Sequence, residues 1–126
     1  MFWGGKPAEV IRAAQNNKAT IFASEEIVAE ISRVLAYPKF RQIYHEKVRI
    51  EDLMEIVLII SKIVKVTKRI NVVKEHPADD KFVECAYAAG ADFIVSGDKH
   101  LLRMARYKKI RIITAAEFLQ AADLSL

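Results

Sequence analysis

Cysteine is nearly absent from this chain: Cys85 stands alone among 126 residues. A single thiol cannot close an internal disulfide, which points to a reducing compartment. Cys85 lies mid-helix beside Ala86 and reads as a small packing residue rather than a reactive thiol. A long apolar run is also missing. The most apolar stretch, Leu53–Val66, is broken by Glu55, Lys62 and Lys65, which excludes it as a membrane span. No secretory h-region opens the chain, so the cytoplasm is the expected location. Linkers, repeats and low-complexity segments are lacking too, and 1–126 reads as one domain. Nor is there a strong charge: the net value of +4 and the pI near 9.2 are mild. Basic residues recur in Lys62–Lys74 and Lys99–Arg111, which fits either phosphate contact or a solvated surface.

What is present is an ordinary globular composition, 52% hydrophobic and 29% charged, in a chain long enough to bury a core. Pro7 suits the first turn of a helix reaching about Asn17. Ala19–Ala23 has strand length, and Ser24 caps a helix whose Ile27, Ile31, Val34 and Leu35 recur at helical spacing until Tyr37-Pro38. Lys39–Lys47 could add a helical piece, Glu51–Ser61 is a strong helix pattern, and Ile63–Thr67, rich in β-branched residues, reads as a strand or turn. Lys68–Pro77 reads as a loop. Asp79-Asp80 then opens a helix ending at Gly90, Asp92–Val95 is a short strand, and Ser96-Gly97-Asp98 turns into a helix over Lys99–Ala105. Ile110–Ile113 is a strand, and Thr114 to Glu117 forms a capping box for a last helix. Short buried strands between helices predict an α/β fold with a parallel sheet covered on both faces.

In such a sheet, ligands gather at the C-terminal ends of strands and the adjoining helix starts. Ala78–His100 puts carboxylates at both places. At about 100° per residue, Phe82, Ala86 and Ala89 form the apolar stripe of the central helix. Asp79 shares that face, whereas Asp80 and Glu84 project to the other side, so Asp80 faces solvent or helps to cap. Glu30 borders the stripe of the Ser24 helix. Taken singly, Glu30 is explained by a salt bridge to Arg33, Asp79 by a helix cap and Asp98 by a turn or N-cap. Together they read as a divalent-metal site, because hard cations take oxygen ligands. The expectation is that these three converge while Asp80 points outward. His45, His76 and His100 read as loop or surface residues.

Three segments carry a family resemblance: SEEIVAEISRVLAYPKF, HPADDKFVECAYAAGADFIVSGDKHLL and IRIITAAEFL. Together they resemble the PIN-domain family, in particular the small toxin components of prokaryotic toxin–antitoxin systems. The resemblance covers nearly the whole chain. It implies a three-layer α/β/α sandwich with a parallel sheet and a Mg²⁺- or Mn²⁺-dependent endoribonuclease. The family's acidic positions carry over to Glu30, Asp79 and Asp98, with Ser96 as an assisting hydroxyl and Asp80 as a second acid common in this branch. One departure stands out. The family opens with a hydrophobic strand ending in an Asp-Thr-Asn-like motif, whereas Met1 to Pro7 here resembles the segment just after it. The chain is therefore expected to lack a central strand and one metal-ligand aspartate. Either the native protein is about 15–20 residues longer, given usual strand and loop lengths, or this is a truncated remnant.

For an intact site, the resemblance implies carboxylates holding metal against the scissile phosphate of an RNA, with Lys99 or Arg103 as candidates for positioning its backbone. The implied partners are the RNA substrate and an antitoxin protein, with a homodimer also open and no membrane. A different reading is a non-catalytic PIN-like module that binds RNA or an antitoxin. A receiver-like domain needs an acidic cluster after the first strand and a lysine after a late one, and neither is clear here.

Overall fold

The computed structural model describes residues 6–36 and 50–121. The helical piece expected within Lys39–Lys47 lies outside them. Helix α1, Lys6–Gln15, leads into strand β1, Phe22–Ala23. The Ser24 hydroxyl then accepts from the Ile27 N–H at 3.3 Å, and α2 runs over Glu25–Leu35 with Glu25 and Glu26 at its positive end. Helix α3, Ile50–Ile60, precedes strand β2, Lys62–Ile63. After a long loop, a single 3₁₀ turn, Pro77–Asp79, enters α4, Asp80–Ala89. Gly90 ends α4 in the left-handed region at φ 65°, where a Cβ would be strained. Strand β3, Phe93–Val95, helix α5, Lys99–Met104, and strands β4, Arg106–Tyr107, and β5, Ile110–Ile113, follow. The last helix, α6, is Ala115–Ala121. Its capping box is complete: Glu117 N–H donates to Thr114 Oγ1 at 3.2 Å and Thr114 N–H to Glu117 Oε1 at 2.9 Å.

The α/β expectation holds, with parallel pairing where it was expected. Strand β1 runs parallel to β2, with Phe22 beside Lys62 and Ala23 beside Ile63. Strand β3 runs parallel to β5, with Ile94 beside Ile112. One element was not anticipated: β4 pairs antiparallel with β5 through a two-residue Lys108-Lys109 turn. That turn carries none of the glycine or asparagine that usually marks a hairpin. Among the described residues no ladder joins β1 to β3, so the strands stand as two sheets. Helix α4 packs against both β1 and β3.

Two apolar clusters match this division. The first gathers Ile11, Ile27, Ile31, Leu35, Met54, Val57 and Cys85, from α1, α2, α3 and α4. The second gathers Ile70, Val73, Val83, Ala86, Ile94, Leu101, Ile110 and Ile112. Phe82 packs against both. The apolar face of α4 is thus wider than the expected Phe82, Ala86 and Ala89 stripe, because Val83 and Cys85 are buried as well. The helix is flanked by both clusters and by the loop that returns from β2.

Candidate active site

Asp79 closes the 3₁₀ turn and occupies the position before α4, yet its side chain makes no cap hydrogen bond. The carboxyl turns inward, as its helical face predicts, and the residue is only 8% exposed. Its Oδ2 is buried with no hydrogen-bond partner. His76 Nδ1 lies 3.2 Å from that oxygen, near enough for charge pairing but outside hydrogen-bond alignment. Burial raises the Asp79 pKa first and the negative charge of nearby Asp98 raises it further, against the opposing pull of His76 and Lys81. The helix-cap explanation of Asp79 is therefore incorrect.

Asp98 does cap a helix. Its Oδ1 accepts from the N–H groups of His100 at 2.7 Å and Leu101 at 3.4 Å, at the start of α5. Desolvation works to raise its pKa, but those two backbone donors and the neighbouring imidazoles outweigh it and leave the carboxyl below its usual value. Ser96 fixes the approach to it. Its N–H donates to Ile113 carbonyl at 2.9 Å, extending the β3–β5 ladder, and its hydroxyl accepts from Asp98 N–H at 2.9 Å. The end of β3 thus brings Asp98 within electrostatic reach of Asp79.

Glu30 is committed elsewhere. Its Oε1 takes a 2.8 Å ion pair from Lys81 Nζ, which also donates to the Ala78 carbonyl. The salt bridge to Arg33 expected from the sequence is replaced by this longer-range one. Lys81 is buried in the first turn of α4, an unfavourable place for a cation at the positive end of a helix. That unfavourable placement is the one sequence signal that Lys81 pairs with a distant carboxylate. Among the described residues, no group of three or more His, Cys, Asp or Glu side chains is arranged to hold a metal. The charges of Asp79 and Asp98 influence one another, and Lys81, paired with Glu30, acts on Asp79.

Asp80 departs from the expectation that it faces solvent or helps to cap, and Glu84, on the same side of the helix, is not exposed there either. Asp80 Oδ1 accepts from the N–H groups of Val72 at 3.1 Å and Val73 at 2.8 Å. Glu84 is buried, and its Oε2 accepts from Ile70 N–H at 3.0 Å. Both acids bind the loop against α4 rather than reaching the site. The reason is that the loop lies over the face of α4 that a helical wheel assigns to solvent.

That loop brings an imidazole to the site. His76 stacks on His100 with centroids 5.5 Å apart and planes within 4°. Glu75 holds the assembly from outside, through 3.0 and 2.8 Å bonds from Arg103 Nη1 and a 3.5 Å contact to His100 Nδ1. His76 is a loop residue and both rings reach the surface, as expected, but no local sequence pattern announces their stacking. His45 lies outside the described residues. Arg103 is paired with Glu75, whereas Lys99 is exposed.

A metal ion can be tested against this donor set. Mg²⁺ keeps several waters and is usually held by one or two carboxylates, so it needs no full protein cage. A buried carboxylate oxygen that accepts no aligned hydrogen bond and feels the charge of a second carboxylate fits such an ion. No helix among the described residues is long and apolar enough to cross a membrane. No curated protein and no solved structure matches the chain. A family model described as PIN domain matches residues 2–100, most of the sequence, and the chain belongs to the PIN domain family.

Proposed function

We propose that this chain is a Mg²⁺- or Mn²⁺-dependent endoribonuclease of the PIN type, acting as the toxin component of a toxin–antitoxin pair in the cytoplasm. Family membership points to nuclease-type chemistry on RNA with a divalent ion. The observation that carries the reading is the buried Oδ2 of Asp79, which accepts no hydrogen bond and has only the His76 imidazole at 3.2 Å, within the electrostatic reach of Asp98. Asp79 and Asp98 would hold the ion, and Ser96 keeps Asp98 in place through the hydrogen bond to its N–H. When bound, the ion supplies an acidified water and neutralises charge developing on the phosphate. Glu30 would join by exchanging Lys81 for the ion or for its water. The His76–His100 stack borders Asp79.

The expected outcome is cleavage of single-stranded RNA in Mg²⁺ or Mn²⁺ that stops on adding EDTA. Asp79→Asn should lower kcat by about a hundredfold, the scale on which one preorganised electrostatic group tells. A second readout is thermal. Mg²⁺ should raise the melting temperature of the wild type, because an ion that binds only the folded state stabilises it, and should not raise that of Asp79→Asn. Cleavage that ignores chelation would sink the metal-nuclease reading. The pairing of Glu30 with Lys81 favours a second reading, a non-catalytic module that binds RNA or an antitoxin. That module would show no Mg²⁺-dependent shift.

A further inference from the structure

The end of α4 away from Asp79 carries an exposed aromatic and basic surface that the carboxylate chemistry does not use. Tyr87, 40% exposed on the last turns of α4, meets Tyr107 of β4 edge to face, with centroids 6.3 Å apart and planes at 75°. Two ammonium groups lie on these rings. Lys68 Nζ is 5.0 Å from the Tyr87 centroid, and Lys108 Nζ is 5.3 Å from Tyr87 and 5.8 Å from Tyr107. Neither lysine has a carboxylate partner among the described residues. Lys109 and Arg106 flank them and are exposed.

We propose that Tyr87, Tyr107, Lys68 and Lys108 form a separate anchoring surface for single-stranded nucleic acid. Tyr87 is exposed and Tyr107, half-buried against the second cluster, backs it; an exposed ring offers a surface on which any base can stack, and ammonium groups around it meet the phosphates. Lys108 supports this independently. It sits in the tight turn between β4 and β5 at φ 53°, a left-handed conformation that glycine or asparagine adopts more cheaply. A long cation is kept there at a conformational cost, and its Nζ is directed onto the tyrosines.

Topology sets this surface apart from the carboxylates. Asp98 follows the end of β3, whereas Lys108 precedes the start of β5, and the two strands run parallel. Along α4, Asp80 and Tyr87 are separated by about 10 Å at the usual rise per residue. A strand touching both places must therefore extend over several nucleotides. The anchor rests on the nucleic-acid part of the function proposed above but not on cleavage, and the two can fail separately.

The test is fluorescence anisotropy of the full chain with a labelled oligouridylate of about ten nucleotides, in EDTA so that no cleavage intervenes. The wild type should bind. Tyr87→Leu should weaken binding about tenfold, within the range for losing one stacked base, without changing its salt dependence, whereas Tyr87→Phe should bind as the wild type does. Lys108→Gly should weaken binding and flatten the slope of log K against log salt by about 0.7, the value per phosphate contact on a single strand. Its melting temperature should stay level or rise, which separates lost contact from lost fold. Variants that bind like the wild type would overturn the anchor. If metal-dependent cleavage persisted in that case, the nuclease reading would still stand. Binding of an acidic peptide at this surface in place of the oligonucleotide would also overturn it, in favour of a protein partner.

Discussion

At Asp79, burial and the charge of Asp98 both raise the carboxyl pKa. An acid whose folded pKa lies above its unfolded one favours folding while protonated and opposes it once ionised. The relative stability is full below the ordinary carboxylate range and is lost as pH rises through the raised folded value. Asp79→Asn removes that dependence. It should therefore melt above the wild type at neutral pH, with the two midpoints drawing together in acid, while losing metal-dependent cleavage. Thermal melts across pH check the sign, and a variant less stable than the wild type at neutral pH would refute it. Cys85 shows the same physics without the function. Burial pushes its thiol up to about 11, so the thiolate is scarce near neutrality and the native protein should resist iodoacetamide until denaturant exposes it. Rapid alkylation of the folded chain would contradict this. Asp79, Asp98 and Cys85 were legible from helical faces and turn position alone. Lys81 and Glu84 were not, because their partners lie 51 and 14 residues away in the chain.

The element that governs the site is the loop between β2 and α4, and two acids of α4 hold it. Glu84 satisfies the buried N–H of Ile70, and Asp80 satisfies Val72 and Val73. Arg69 also reaches Glu84 at 3.4 Å, but the arginine is largely exposed, so that pair adds little. Glu84→Ala should cost about 1–3 kcal/mol in urea unfolding, because it leaves a buried donor unpaired, whereas Glu84→Gln can still accept and should cost less. Equal losses from both variants would mean that charge, not the backbone bond, matters here. The caps at Ser24, Asp98 and Thr114 were readable because each is a local hydrogen bond within three residues. The β4–β5 hairpin was not, since a Lys-Lys turn lacks the usual signal and pairing with β5 is what stabilises it. Strands β1 and β2 are shorter than their apolar runs suggest, each pairing over two residues.

Across the whole molecule, the described strands form two sheets and the buried side chains two clusters, so cooperativity depends on what spans them. Helix α4 does, placing Cys85 in one cluster and Val83 and Ala86 in the other. The α/β class was legible from the alternation of short apolar runs and helices, and the inward face of α4 from its periodicity. The division of the core was not, since periodicity tells that a face is buried but not against which neighbours. Phe82 packs against both clusters and is the side chain through which one feels the loss of the other. Phe82→Ala should cost about 3 kcal/mol, the low end for a phenylalanine truncation, because the ring is only partly buried. Ile31→Ala, confined to the first cluster, falls in the range of about 2–5 kcal/mol and provides the control. The two should differ in kind more than in size. With the bridge gone, urea transitions followed by hydrogen exchange at Ile31 and at Ile112 should separate, whereas Ile31→Ala should lower both together. Coincident transitions in Phe82→Ala would show instead that the backbone of α4 couples the two halves without the ring.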